Sequence, residues 1–123
     1  MKGGKAAVTR FVRLLKFMDK LILKGSVIYA TVPFPEGNGK KARPVVVLTL
    51  PNIYNDVVVA EIVTRPRPDV LPIQDTSSAG VFNGSGIRMR LCTVNLGKNA
   101  RPIGRLSTVD YKMVKERVQA MLL

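Results

Sequence analysis

Histidine is missing from this chain of 123 residues, cysteine occurs once, at Cys92, and acidic residues number 8 against 20 Lys and Arg. Each shortage removes a class of chemistry. One cysteine cannot close an internal disulfide, and without imidazole it has no companion set for zinc. That usage fits a reducing cytoplasm. No apolar run reaches the roughly 20 residues that a membrane-spanning helix requires, so a membrane protein is not expected. A secretory leader is not expected either, because Arg13, Lys16 and Lys20 interrupt the only amino-terminal stretch that resembles one.

What is present is positive charge. A net +12 goes well beyond what solubility requires and points to a polyanion or an acidic protein as partner, the plain alternative being a solvated basic surface. The length argues for one domain with a core of its own, divided here into a basic extension over residues 1–24 and a folded unit over 25–123. The extension carries seven basic residues against the single acid Asp19. At 100° per residue, Arg10, Arg13, Lys16, Lys20 and Lys24 share one side of a helical wheel. Phe11, Leu14, Leu15, Met18, Leu21 and Ile22 share the other, which predicts an amphipathic helix from Thr9 to Leu23. Such a helix can lie on its own domain, on a partner protein or RNA, or on a membrane surface.

From Gly25 the period changes. Ser26–Val32 is short, β-branched and aromatic, and reads as a strand. Pro33–Ala42 has no apolar period and reads as a loop, either a cover for a ligand or a plain connection. Lys40 and Lys41 lead into Arg43 and then Val45–Leu50, a strand apolar on both faces. Pro44 suits the first position of that strand and biases Arg43 towards an extended backbone, so the guanidinium is expected to project from a stiff element into solvent, as a phosphate contact requires.

Asn52 and Asn55 mark a turn before a second apolar strand, Asp56–Val63, which carries Glu61 and ends at Thr64. Arg65 and Arg67 stand in a proline-rich loop that leads to a short piece near Val70–Ile73, and Gln74–Gly80 shows no usable period. Ile87–Val94 alternates, with Ile87, Met89 and Leu91 on one face and Arg88, Arg90 and Cys92 on the other. Those two arginines face either the same cleft as Arg43 or open solvent. A short strand is expected near Arg101–Arg105. Ser107, with Asp110 three residues on, opens a last helix striped by Val109, Met113, Val114, Val118, Met121 and Leu122. The whole reads as mainly β (α+β): a small antiparallel sheet, strongly twisted or closed into a barrel, with a helix at each end.

The ordered anchors ARPVVVLTL, DVVVAEIVT, SAGVFNGSGIR and IGRLS, followed by a terminal helix, resemble the PemK and MazF family of endoribonuclease toxins from type II toxin–antitoxin systems. The resemblance spans about Gly25 to Leu123. It implies an SH3-like barrel, a homodimer with single-stranded RNA in a basic groove, an acidic antitoxin whose flexible segment fills that groove, and no metal or other cofactor. It matches Arg43 and Thr64 to the catalytic pair, aligns Arg88 with a second arginine of some members and sets Glu36 loosely beside Arg43. Lys40, Lys41, Arg65, Arg67 and Arg90 are then the cations expected along the RNA. Two departures stand out: Arg90 occupies a position where those members carry an acid, and the histidine some members have before the RPV motif is absent. A nucleic-acid- or antitoxin-binding barrel with little or no catalysis is therefore the alternative function, and a ribosomal or nucleoid component a third.

Overall fold

The computed structural model describes residues 22–33, 39–65, 67–97 and 100–122. The expected helix over Thr9–Leu23 falls almost wholly outside these residues, and Glu36 lies outside them. Six strands and two helices follow in chain order: β1 (Ser26–Pro33), β2 (Lys40–Val47), β3 (Asp56–Val63), β4 (Val70–Pro72), α1 (Thr76–Ala79), β5 (Gly86–Asn95), β6 (Arg101–Arg105) and α2 (Thr108–Leu122). The strands form one antiparallel sheet in the order β4-β5-β3-β2-β1-β6. The sheet rolls up. Strands β1 and β5, which have β2 and β3 between them in the sheet, come into contact, and α1, which follows one edge strand, packs on the other edge strand β6. This is the mainly β barrel-like architecture with a terminal helix that the sequence predicts.

The valine run of β2 shows why this sheet is apolar on both sides. Successive side chains of a strand point to opposite faces. Val46 accordingly joins a cluster with Val27, Ala60, Ile62, Ile87 and Val114, while Val45 and Val47 join Ile28, Val32, Val57, Val59 and Val94. Half-buried Ile22, the last apolar residue of the predicted amino-terminal stripe, packs against this second cluster.

Helix α2 covers the first cluster through Val114, with Tyr111, Met113 and Val118 alongside. Val109, Met121 and Leu122 of the predicted stripe are exposed instead. The helix docks through its middle, and a polar residue takes the anchoring place near its start. Asp110 is fully buried; its two carboxylate oxygens accept the backbone N–H groups of Gln74 and Asp75 at 3.0 and 2.9 Å, and its own N–H donates to Ser107 Oγ at 3.1 Å. The serine is the cap that the spacing predicts, and the aspartate ties α2 to the segment leading into α1.

Helix α1 lies in the stretch that shows no period, because four residues are too few to carry one. Its ends explain it: the Asp75 side chain accepts the Ser78 N–H, and Gly80 closes it in a left-handed conformation. A side chain on Gly80 would overlap the Ile103 carbonyl, and one on Gly104 the Ala79 backbone. The glycines thus let α1 and β6 meet backbone to backbone. Among the described residues, no helix is long and apolar enough to cross a membrane.

Replacing Asp110 by alanine strands two backbone donors, at a cost of about 3 kcal/mol. Urea unfolding of Asp110→Ala is expected to show a lower midpoint at unchanged slope; Asp110→Asn, which keeps one acceptor oxygen, is expected to fall between the variant and the parent.

Candidate functional site

Strands β2 and β3 pair only briefly. Val45, Val46 and Val47 stand opposite Glu61, Ala60 and Val59, and the ladder stops at the residue before which proline stands. Pro44 has no N–H to extend it. On its other side, β2 continues to pair with β1 from Val46 back to Lys40, so Pro44 sits inside a strand rather than at its start, as the sequence suggests. The correction has a simple cause: beyond Val45 the β3 side of β2 is an open edge, where proline is tolerated.

On its other side β3 pairs with β5 from Asp56 to Val63, with a register shift at Glu61. Ala60 pairs with Leu91 but Ile62 pairs with Ile87, so Arg88, Met89 and Arg90 all stand opposite Glu61 in a bulge. The separation of β2 from β3 leaves a cleft of about 780 Å³, walled by 41–44 on one side and 62–65 on the other, with residues 80–82 and Ser85 at one end.

Arg43 and Thr64, predicted from sequence segments some twenty residues apart, both line this cleft, and so do Lys41, Arg65 and Arg67. Lys40 opens β2. Arg88 and Arg90 are not in the lining. Arg88 is paired with Asp69, Nε to Oδ2 at 3.2 Å, and Arg90 is exposed on the bulge.

Arg43 is more enclosed than its place before an apolar strand suggests. Its Nε lies 3.9 Å from Glu61 Oε1, with side chains 31% and 12% exposed. It is held beside a carboxylate rather than projecting free, because Glu61 is carried on the same face of the sheet at the point where the strands diverge. The sequence places Glu61 within an apolar strand; a carboxylate at that position was the available signal for an ion pair.

Three further residues of the lining were not singled out by the sequence: Tyr29, Phe82 and Ser85. The Arg101 guanidinium stands 5.8 Å from the centroid of the Tyr29 ring, a cation–π distance. Ser85 Oγ is buried without a hydrogen-bond partner. The available signal for Phe82 was an aromatic residue directly before the turn residues Asn83 and Gly84, where packing gives no reason for one.

Chemically, the cleft is lined by cations, a threonine and aromatic residues. Among the described residues, none in the lining is Asp or Glu, and no three acids or cysteines gather as metal ligands. It is shaped for an anion.

The rolled sheet and the basic cleft define a class first. Crystal structures from Deinococcus radiodurans share the fold. A MazE–MazF complex (Form-III) superposes with a TM-score of 0.64 at 11% identity, covering 83% of this chain and 97% of that chain. MazF alone (Form-I) gives 0.60 at 12% identity over 80% and 93%. No curated protein matches the sequence. The profile of the PemK-like, MazF-like toxins of type II toxin–antitoxin systems matches residues 23–122, and the chain belongs to that family.

Cys92, half-buried on β5, tests the electrostatics around Glu61. Burial raises its pKa above the ordinary thiol value, the Glu61 carboxylate raises it further, and Arg90 pulls it down. A raised pKa means less thiolate at neutral pH, so alkylation by iodoacetamide at pH 8 is expected to be slower than for an exposed cysteine. Glu61→Gln removes one raising cause and is expected to speed it; a slower or equal rate would show that Glu61 does not act on the thiol through its charge.

Proposed function

We propose that this protein is a toxin that cuts single-stranded RNA without a metal ion in the cytoplasm. It acts as a homodimer, and an acidic antitoxin segment competes for the same cleft. The observation that carries the reading is that Arg43 and Thr64, the pair implied by the family motif, line one basic cleft although they come from different strands. The solved Deinococcus radiodurans relatives include a MazE–MazF complex, and the net +12 of this chain suits an acidic partner as well as RNA.

In the proposed reaction the ribose 2′-oxygen attacks the adjacent phosphorus and loses its proton. The bond from phosphorus to the 5′-oxygen breaks, and that oxygen gains a proton, leaving a 2′,3′-cyclic phosphate and a 5′-hydroxyl. Negative charge builds on the non-bridging oxygens as the 2′-oxygen adds. Arg43 supplies fixed donors and positive charge to those oxygens, the largest single contribution such a step needs. The Thr64 hydroxyl orients the phosphate or the attacking group; it is no strong base. Lys41, Arg65 and Arg67 hold the backbone on either side.

One observation favours the second reading, a binding module with little catalysis: among the described residues no carboxylate lines the cleft, and the chain has no histidine. The deciding experiment is cleavage of a long single-stranded RNA in EDTA with mapping of the ends. Cutting that survives chelation, leaves 5′-hydroxyl ends and falls at least about a hundredfold in Arg43→Ala, with a smaller loss in Thr64→Ala, supports the nuclease. Binding without cutting establishes the module.

Binding itself carries a second expectation. Four cations on the strand give a slope of about −3 for log affinity against log salt, and Arg67→Ala is expected to reduce its magnitude by about 0.7. An unchanged slope in that variant would remove Arg67 from the RNA track.

A further inference from the structure

Phe82 is the most exposed side chain among the aromatic residues of the cleft lining, at 81% against 37% for Tyr29. Its backbone is nevertheless well anchored. The N–H groups of Gly80 and Val81 donate to the Ser77 and Thr76 carbonyls at 3.1 Å, the Ser85 N–H closes the turn on the Phe82 carbonyl at 3.1 Å, and the Ser85 carbonyl accepts the Ile73 N–H. Val81 packs against the first apolar cluster, and Ser85 is buried. A rigid turn therefore carries a phenyl ring into water at the rim of a cleft whose other walls bear Lys41, Arg43, Arg65 and Arg67.

Exposing such a ring is unfavourable unless something covers it. A protein-docking patch would place further apolar side chains around it. The residues that follow it are Asn83 and Gly84, and the cleft lining that it shares holds four cations beside apolar residues such as Ile62 and Val63, which are half-buried or buried. An exposed aromatic face among cations that track a backbone is the arrangement that holds an unpaired base by stacking, while the cations hold its phosphate.

We propose that Phe82 is a nucleobase platform: a base of the strand seated in the cleft, displaced along the chain from the phosphate at Arg43, lies flat on its ring. The inference rests on the reading of the cleft as an RNA track and adds to it a contact made with the base. Stacking is tolerant of base identity, so Phe82 contributes affinity and strand position, and base preference arises from whatever else surrounds the stacked base.

The chain contains no tryptophan, so Phe82→Trp introduces a single emitter at the proposed contact. Its fluorescence is expected to be quenched by a short single-stranded oligoribonucleotide and unaffected by an abasic oligonucleotide of equal length or by inorganic polyphosphate. In parallel, Phe82→Ala is expected to lose roughly ten- to hundredfold in affinity for the oligoribonucleotide and nothing for the two baseless polyanions, with Phe82→Tyr restoring binding and Phe82→Leu not. Equal losses for all three ligands, or full rescue by leucine, overturn the platform. A change in self-association of Phe82→Ala with RNA affinity intact also overturns it, in favour of a protein contact. Should the unmodified protein bind RNA in an Arg43-dependent way while Phe82→Ala binds equally well, the platform alone is wrong; should it bind no RNA at all, the reading of the cleft falls with it.

Discussion

The cleft depends on where one hydrogen-bond ladder stops. β2 has two neighbours, and it stays paired with β1 over seven positions while its pairing with β3 ends after three, at Val45 opposite Glu61. Pro44 cannot donate to a continued ladder, and the bulge at Arg88–Arg90 falls opposite Glu61, where the β2 ladder ends, while β3 stays paired with β5 beyond it. Together these separate a pair of strands that a regular sheet would keep roughly 5 Å apart. The backbone that would have been buried in a ladder becomes two walls of a cleft. Because the same two strands carry Val45–Val47 and Val57 and Val59 into the core, the walls are open but their roots are fixed.

That geometry also sets the electrostatics. Several cations on one concave surface repel each other, and a cation withdrawn from water needs a counter-charge nearby. Glu61 supplies one at the root of the cleft, beside Arg43 and outside the lining. An anion beside the guanidinium offsets its charge from outside the described lining. Had the acid lain in the lining itself, it would have repelled a phosphate approaching Arg43. The Arg88–Asp69 pair shows the other outcome: there the acid takes the arginine into a partly exposed surface pair.

Much of the fold was legible because its signals are local. The valine runs, the proline-rich connection, the Ser107 cap and the alternation along β5 each fix one element by themselves. The cleft was legible through Arg43 and Thr64, which stand at the ends of two recognisable strands and match a motif, so bringing them together required only that the strands be neighbours. The rest needed three-dimensional information. The ion pair of Arg43 depends on register, which a run of valines leaves unmarked. The exclusion of Arg88 and Arg90 from the cleft follows from a bulge that two-residue periodicity cannot reveal. Phe82 belongs to a turn whose position is set by the contact of Gly80 and Gly104 with the backbone opposite each, residues far apart in sequence whose meeting no local pattern encodes. Asp110 reads as half of a capping motif, and its larger role, holding Gln74 and Asp75, joins segments 35 residues apart.

On the proposed reaction, a chain without imidazole, whose described lining residues include no carboxylate, shifts the burden from proton transfer to charge. General acid–base catalysis is worth roughly 10²–10⁴ in rate, and a well-placed donor to a developing oxyanion contributes on a similar scale. A site that keeps the second and lacks the first still lowers the barrier, since stabilising the non-bridging oxygens does not require the protein to take the 2′-proton, which water can accept. The consequence is a slower step whose rate rests on one guanidinium and on how long the strand stays aligned with it. Alignment then becomes the quantity the rest of the cleft can improve, and an RNA held at its phosphates alone still slides along a row of similar charges. Fixing the strand against sliding takes a contact with something other than phosphate, which is why an aromatic ring on a rigid turn matters more in this cleft than it would beside a histidine.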